Sequence, residues 1–132
     1  MLVRDVEEKH VPLLTKLGVG FTAFSPLAEG VLSDKYIADA ATRQYSLRND
    51  LRPAKTTPLL IAKLKALNEI AANRGQSLAQ MATAWLLARQ STTSVIIGPR
   101  TVEHLDSSIN ATRNIHFTGE ELIEIDRILS MQ

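Results

Sequence analysis

The chain contains no cysteine, which excludes a disulfide framework and thiolate metal ligands and fits a reducing compartment. Its opening residues, MLVRDVEEKH, lack the apolar core of a secretory leader. No apolar run approaches the roughly 20 residues of a membrane span, so a cytoplasmic protein is expected. An excess of either charge is also missing. Fifteen Lys plus Arg against fourteen Asp plus Glu leave a net charge of +1, and nothing in that balance asks for nucleic acid or an anionic membrane. His10, His104 and His116 are too far apart in sequence for metal-ligand spacing, which argues against metal catalysis. A serine nucleophile elbow, a Walker sequence and a GxGxxG fingerprint are all absent, and Tyr36 and Tyr45 have no visible activating partner.

The 132 residues are 45% hydrophobic, one domain's worth of chain with enough apolar content for a modest core. The chain is organised around GVGFTAFSPLAEGVLSDKY, from Gly18 to Tyr36. Val19, Phe21, Ala23 and Phe24 form a β-prone run that Ser25-Pro26 stops at once. Pro26 removes a backbone donor, and Gly30 permits a backbone path or close ligand approach that a side chain would block. A serine, backbone N–H groups and Lys35 therefore gather beyond the strand's carboxyl end, where parallel α/β folds place their sites.

Asp5 and Glu8 have capping-box spacing for a helix over Val6 to Leu17, in which Pro12 should bend or shorten the element, and Gly18 is its stop. Residues 37–56 keep neither helical nor strand period and read as a long excursion. Thr57 as cap and Pro58 at the first position open a helix with Leu60, Leu64, Leu67 and Ala71 on one face, ended by Gly75. Ser77 and Gln80 form another capping box, ahead of a helix to about Arg89 that buries Leu78, Met81, Ala82 and Trp85. Ser94 to Ile97 is a second strand, closed by Gly98-Pro99. A helix from Arg100 or Thr101 to about Ala111 follows. Thr118 and Glu121 cap a last one, with Leu122, Ile125, Ile128 and Leu129 as its stripe. Strands alternating with helices predict a parallel α/β fold.

The second strand exit, IIGPRTVEH, repeats the arrangement of the first. Arg100 with Thr101 joins a guanidinium to the N–H groups and positive end of a helix, a chemistry suited to phosphate.

With SLAQMATAWLLARQSTTSVIIGPRTVEHLDSSINA beside the first stretch, the chain resembles the carboxyl-terminal part of an aldo-keto reductase, most like the branch that includes the potassium-channel β-subunits. The resemblance runs over nearly the whole chain. It implies a (β/α)8 barrel that reduces aldehydes and ketones with NADPH bound in extended form at the barrel's carboxyl face. It also implies that only the last stretch is present: helix 6, strand 7, helix 7, strand 8 and the closing helices. By position, Phe24 would lie against the nicotinamide, while Ser25, Pro26, Leu27 and Ala28 would line the pyrophosphate path and Lys35 would meet a phosphate. Gly98 and Arg100 match the loop that holds the adenosine 2′-phosphate, and His104 replaces a Gln or Arg near the adenine. Ser107 and Ser108 stand where the family commonly has an acidic residue followed by Asn, which weakens the adenine grip.

The family's catalytic Asp, Tyr, Lys and His belong to earlier strands, so the resemblance assigns no catalytic residue here, and Lys35 and Tyr36 do not substitute for them. Two strands of eight cannot close a barrel. The chain is therefore expected to be an incomplete barrel that exposes strand edges and associates with itself or with the missing amino-terminal part. By itself it should be inactive towards carbonyl substrates. The alternative is a non-catalytic nucleotide-binding or interaction module. A helix-turn-helix regulator over 58–89 is disfavoured because that pair lacks a basic face.

Overall fold

The computed structural model describes residues 1–34, 37 and 57–131. Lys35, Tyr36, Tyr45 and nearly all of the predicted excursion over 37–56 lie outside the described residues. Among the described residues, five helices and two strands follow in the order α1 (Asp5–Leu17), β1 (Phe21–Phe24), α2 (Pro58–Asn73), α3 (Leu78–Leu87), β2 (Thr92–Ile96), α4 (Val102–Asn110) and α5 (Gly119–Leu129), with a 3-10 turn at Ala111–Arg113 before α5. The predicted order of elements is the observed one.

The capping chemistry explains most helix starts. Thr57, Ser77, Thr101 and Thr118 each accept the N–H three residues on, at Leu60, Gln80, His104 and Glu121. In α3 and α5 the Gln80 and Glu121 side chains complete the box, so donors that the first turn leaves open are satisfied. The first helix departs from expectation. Arg4 stands at its N-cap without a side-chain cap, and Asp5 is already inside the helix, so the proposed Asp5–Glu8 box does not form. Asp5, Glu7 and Glu8 instead put three carboxylates in the first turn, where the helix dipole favours them. Pro12 does not shorten this helix, which continues to Leu17 before Gly18 closes it in the left-handed conformation.

The two strands pair in parallel, with Thr22 opposite Ser94, Ala23 opposite Val95 and Phe24 opposite Ile96. Phe21 faces Thr92, so the register skips Thr93, the mark of a β-bulge. Gly20 sits against that bulge. A Cβ at Gly20 would collide with Thr93 Oγ1, so the close approach of the strands requires glycine there.

Side chains on paired positions of a sheet share a face, and alternate positions change face. Ala23 is buried and Val95 half-buried, whereas Thr22, Ser94, Phe24 and Ile96 are exposed. Thr22 and Ser94 also hydrogen-bond to each other through their hydroxyls at 3.3 Å. One face therefore meets the helices, through packing of α3 on β2, and the other is uncovered among the described residues.

The core lies among the helices. Leu64, Leu67 and Ala71 of α2 meet Leu78, Met81, Ala82 and Trp85 of α3 and Ile125 and Ile128 of α5, with Leu32 and Met1 packed in from the loop and the amino terminus. Trp85 is 2% exposed, a core residue as its helical position predicts. Arg4 joins the amino terminus to α5 by an ion pair with Asp126 at 2.6 Å, and Lys63 Nζ donates to the Leu129 carbonyl at 2.8 Å.

Candidate functional site

Because β1 and β2 are parallel and end opposite one another at Phe24 and Ile96, the two predicted exits start side by side. Sequence positions about 70 apart thus open on the same end of the sheet.

The first exit has an unusual backbone. Ser25, Ala28 and Glu29 have φ of 52°, 47° and 59°, and Gly30 has 89°. Left-handed backbone opposes a Cβ by about 1–2 kcal/mol per residue, so three such non-glycine residues in one loop need compensation from their surroundings. Two sources are visible. The loop closes on itself through Ala28 N–H to Ser25 O at 2.9 Å, Gly30 N–H to Leu27 O at 2.9 Å and Leu32 N–H to Leu27 O at 3.0 Å, while Ser33 Oγ donates to Gly30 O at 2.6 Å. Burial supplies the rest: Pro26 and Leu32 are buried, and Leu27 and Ala28 pack against the core. Side chains at 26, 27 and 28 are thereby committed inward, and what these residues can offer a ligand is backbone. Ser25 remains exposed, and the Phe24 ring is 78% exposed.

At the second exit Gly98 and Arg100 are exposed, and an atom added at the Gly98 Cβ position would meet open space. Arg100 has no ion pair among the described residues. The start of α4 is partly engaged by its own groups. Thr101 Oγ1 accepts the His104 N–H at 3.3 Å. The Glu103 carboxyl is held below the usual carboxylate range by the Thr101 hydroxyl and by its own N–H. Thr101 and Val102 amides lie ahead of the helix ladder and are the donors that this end can present. His104 is exposed, while Ser107 and Ser108 are half-buried one to two turns further on, about 9–10 Å along the axis from Thr101. Ser108 Oγ donates to the His104 carbonyl at 2.9 Å, so its proton is already used within the helix.

The pairing therefore starts the Phe24–Ser25 loop and the segment with Gly98 and Arg100 at one end of the sheet, and His104, Ser107 and Ser108 follow on α4. Lys35 is outside the described residues. Residue types gave no warning of the left-handed backbone at Ser25, Ala28 and Glu29, since none of the three favours it; Gly30 was the one local sign. Among the described residues there is no group of three or more acidic, His or Cys side chains able to hold a metal, and no helix long and apolar enough to cross a membrane.

Comparison with known proteins gives this end of the sheet a context. The sequence profile of the Aldo/keto reductase family matches residues 1–130. The chain is 41% identical over 115 residues to an L-glyceraldehyde 3-phosphate reductase of Escherichia coli, covering 83% of this chain and 33% of that protein. It is 35% identical over 111 residues to an uncharacterized oxidoreductase of Bacillus subtilis, covering 84% and 32%. A probable voltage-gated potassium channel subunit beta of Oryza sativa subsp. japonica is 32% identical over 123 residues, covering 90% and 38%. The chain spans about a third of the length of the curated relatives it matches. With a profile match over nearly all its length and strand exits that converge on one end of a parallel sheet, the chain belongs to the aldo/keto reductase family of oxidoreductases.

Proposed function

We propose that the chain is the carboxyl-terminal, NADP(H)-binding part of an aldo-keto reductase barrel, with the catalytic Asp, Tyr, Lys and His on strands outside these 132 residues. The observation that carries the reading is the parallel register that ends both strands together at Phe24 and Ile96, since a dinucleotide must touch both exits at once. The donor set fits such a ligand. An exposed aromatic ring, a loop presenting backbone rather than side chains, an arginine without an ion pair among the described residues, and the first amides of a helix are an apolar wall followed by anion-binding groups.

Nicotinamide supplies the hydride that reduces a carbonyl carbon. This chain's own residues hold and orient. Phe24 forms one wall for the ring, and Ser25 with the backbone of Pro26, Leu27 and Ala28 follows the pyrophosphate. Gly98 leaves room for a close approach, and Arg100 with the Thr101 and Val102 amides meets the 2′-phosphate. His104 lies towards the adenine, where Ser107 and Ser108 make a weaker grip than an acidic residue and Asn. Lys35 is assigned to a phosphate by resemblance alone. In this reading none of these groups is given the role of protonating a carbonyl oxygen, which would fall to the family's tetrad on strands outside these 132 residues. The phosphorylated aldehyde named for the Escherichia coli relative is the first substrate class to test on a completed barrel.

The test is cofactor choice. Charge-assisted contacts from Arg100 to a 2′-phosphate are worth roughly 1.5–3 kcal/mol, or about 10- to 150-fold in affinity. Binding titrations of NADP and NAD to the completed barrel, at two ionic strengths, should show preference for NADP, a selective loss of NADP binding in Arg100→Ala, and greater salt sensitivity for NADP. Equal losses for both cofactors in Arg100→Ala would remove the specificity assignment.

A further inference from the structure

The loop after β1 holds its left-handed residues with contacts of two kinds. Backbone groups supply most of them: besides those given above, the Val31 N–H donates to the Ala28 carbonyl at 3.2 Å. A side chain enters at Ser33, whose Oγ donates to the Gly30 carbonyl at 2.6 Å. Gly30 is where the loop has most freedom, because it stands at φ 89° with open space at its Cβ position, and glycine adopts either sign of φ at little cost. No neighbour at that position holds the peptide in one orientation, so a hydrogen bond on its carbonyl weighs heavily. Ser33 is placed to make it because Leu32, next to it, is fully buried in the helical core and fixes the backbone from which the hydroxyl reaches back.

We propose that Ser33 is a positioning residue for the dinucleotide: it acts through the Gly30 carbonyl rather than on the ligand, and keeps the backbone of Ser25 to Gly30 in the conformation that presents it to the diphosphate. The proposal rests on the cofactor reading above. A ligand that binds one loop conformation has its affinity scaled by the fraction of molecules already in that conformation. Loss of the Ser33 hydroxyl lowers that fraction and therefore weakens every ligand of the loop by one common factor. Arg100 differs in kind, since the contact assigned to it is with a phosphate that NAD lacks. NADP and NAD share the diphosphate, so the two residues leave different signatures on the same pair of ligands.

The experiment is calorimetric titration of the completed barrel with NADP, NAD and adenosine 2′-monophosphate, the last of which engages only the second strand exit in the reading above. Ser33→Ala is expected to weaken NADP and NAD equally, by about 3- to 10-fold for one lost hydrogen bond, and to leave adenosine 2′-monophosphate unchanged. Ser33→Thr keeps the hydroxyl and is expected to bind all three as the wild type does. A matching loss for adenosine 2′-monophosphate in Ser33→Ala would mark a general loosening of the fold and overturn the proposal. Wild-type affinities in Ser33→Ala, unequal losses for NADP and NAD, or a Ser33→Thr variant as weak as Ser33→Ala would overturn it too, while leaving the cofactor reading in place. A wild-type barrel that binds neither dinucleotide would overturn that reading and this proposal with it.

Discussion

The guanidinium of Arg74 closes α2 with its side chain 3% exposed. It donates to Glu121 at 2.7 Å, to Gln76 at 2.9 Å and to the Asn114 carbonyl at 3.0 Å, and lies 3.6 Å over the Phe117 ring. The same Glu121 carboxylate accepts the Thr118 N–H at 2.8 Å and so caps α5. Removing the cation leaves a partly buried carboxylate and a carbonyl without their strongest donor. Arg74→Met is therefore expected to lower stability by about 2–4 kcal/mol, read as a drop in urea midpoint, whereas Arg127→Ala, which breaks the exposed pair with Glu124 at 2.6 Å, should leave the midpoint unchanged. A second titratable site is the Met1 amine. Burial pulls it from the ordinary value of 8.0 down to about 6; Glu7 opposes the shift, and Arg4 and Arg89 add to it. Between pH 6 and 8 the unfolded chain binds more protons than the folded one, so stability rises with pH across that window and falls as pH drops towards 6. Thermal melts of the 132-residue chain at pH 6, 7 and 8 should show that rise, and acetylation of the amine should flatten it.

At the scale of the element, α3 contributes Leu78, Met81, Ala82, Thr83, Ala84 and Trp85 to the buried interior within ten residues, so its start is the helix end on which most packing depends. Ser77 accepts the Gln80 N–H at 3.2 Å and Gln80 returns a carboxamide oxygen to the Ser77 N–H at 3.0 Å. Ser77→Ala is expected to destabilise the chain by about 1 kcal/mol, with Ser77→Asp close to wild type, as chemical denaturation would measure. The capping boxes at Ser77 and Thr118 were legible because both partners lie within four residues. The Asp5–Glu8 spacing was the same signal and failed. Arg4 is held to Glu7 and, across 122 positions, to Asp126, and the helix then starts one residue earlier than its local cap suggests. Phe24 and Arg100 could be marked individually, but their common end of the sheet comes from the pairing of Phe24 with Ile96.

For the whole molecule, the core among the described residues is a helical layer on one side of a two-stranded sheet whose other side exposes Thr22, Phe24, Ser94 and Ile96. In the reading proposed above, this molecule would hold a dinucleotide, while the groups that protonate a carbonyl oxygen would belong to strands outside these 132 residues. The isolated chain is accordingly expected to oxidise no NADPH above background with a panel of aldehydes, followed by absorbance loss. A saturable rate from the pure chain would mean that the chemistry is housed within these residues after all.

The starts of α2, α3, α4 and α5, the apolar stripes of α2, α3 and α5, the strand-helix alternation and the family were determined by the sequence, because caps and periodicities act over one to two turns and motifs read along the chain. Tertiary structure alone decided the left-handed backbone of Ser25, Ala28 and Glu29, the bulge at Thr93 and the burial of Arg74. Each depends on what a distant segment provides: core packing under Leu27 and Leu32, a second strand to bulge against, and a carboxylate 47 positions away.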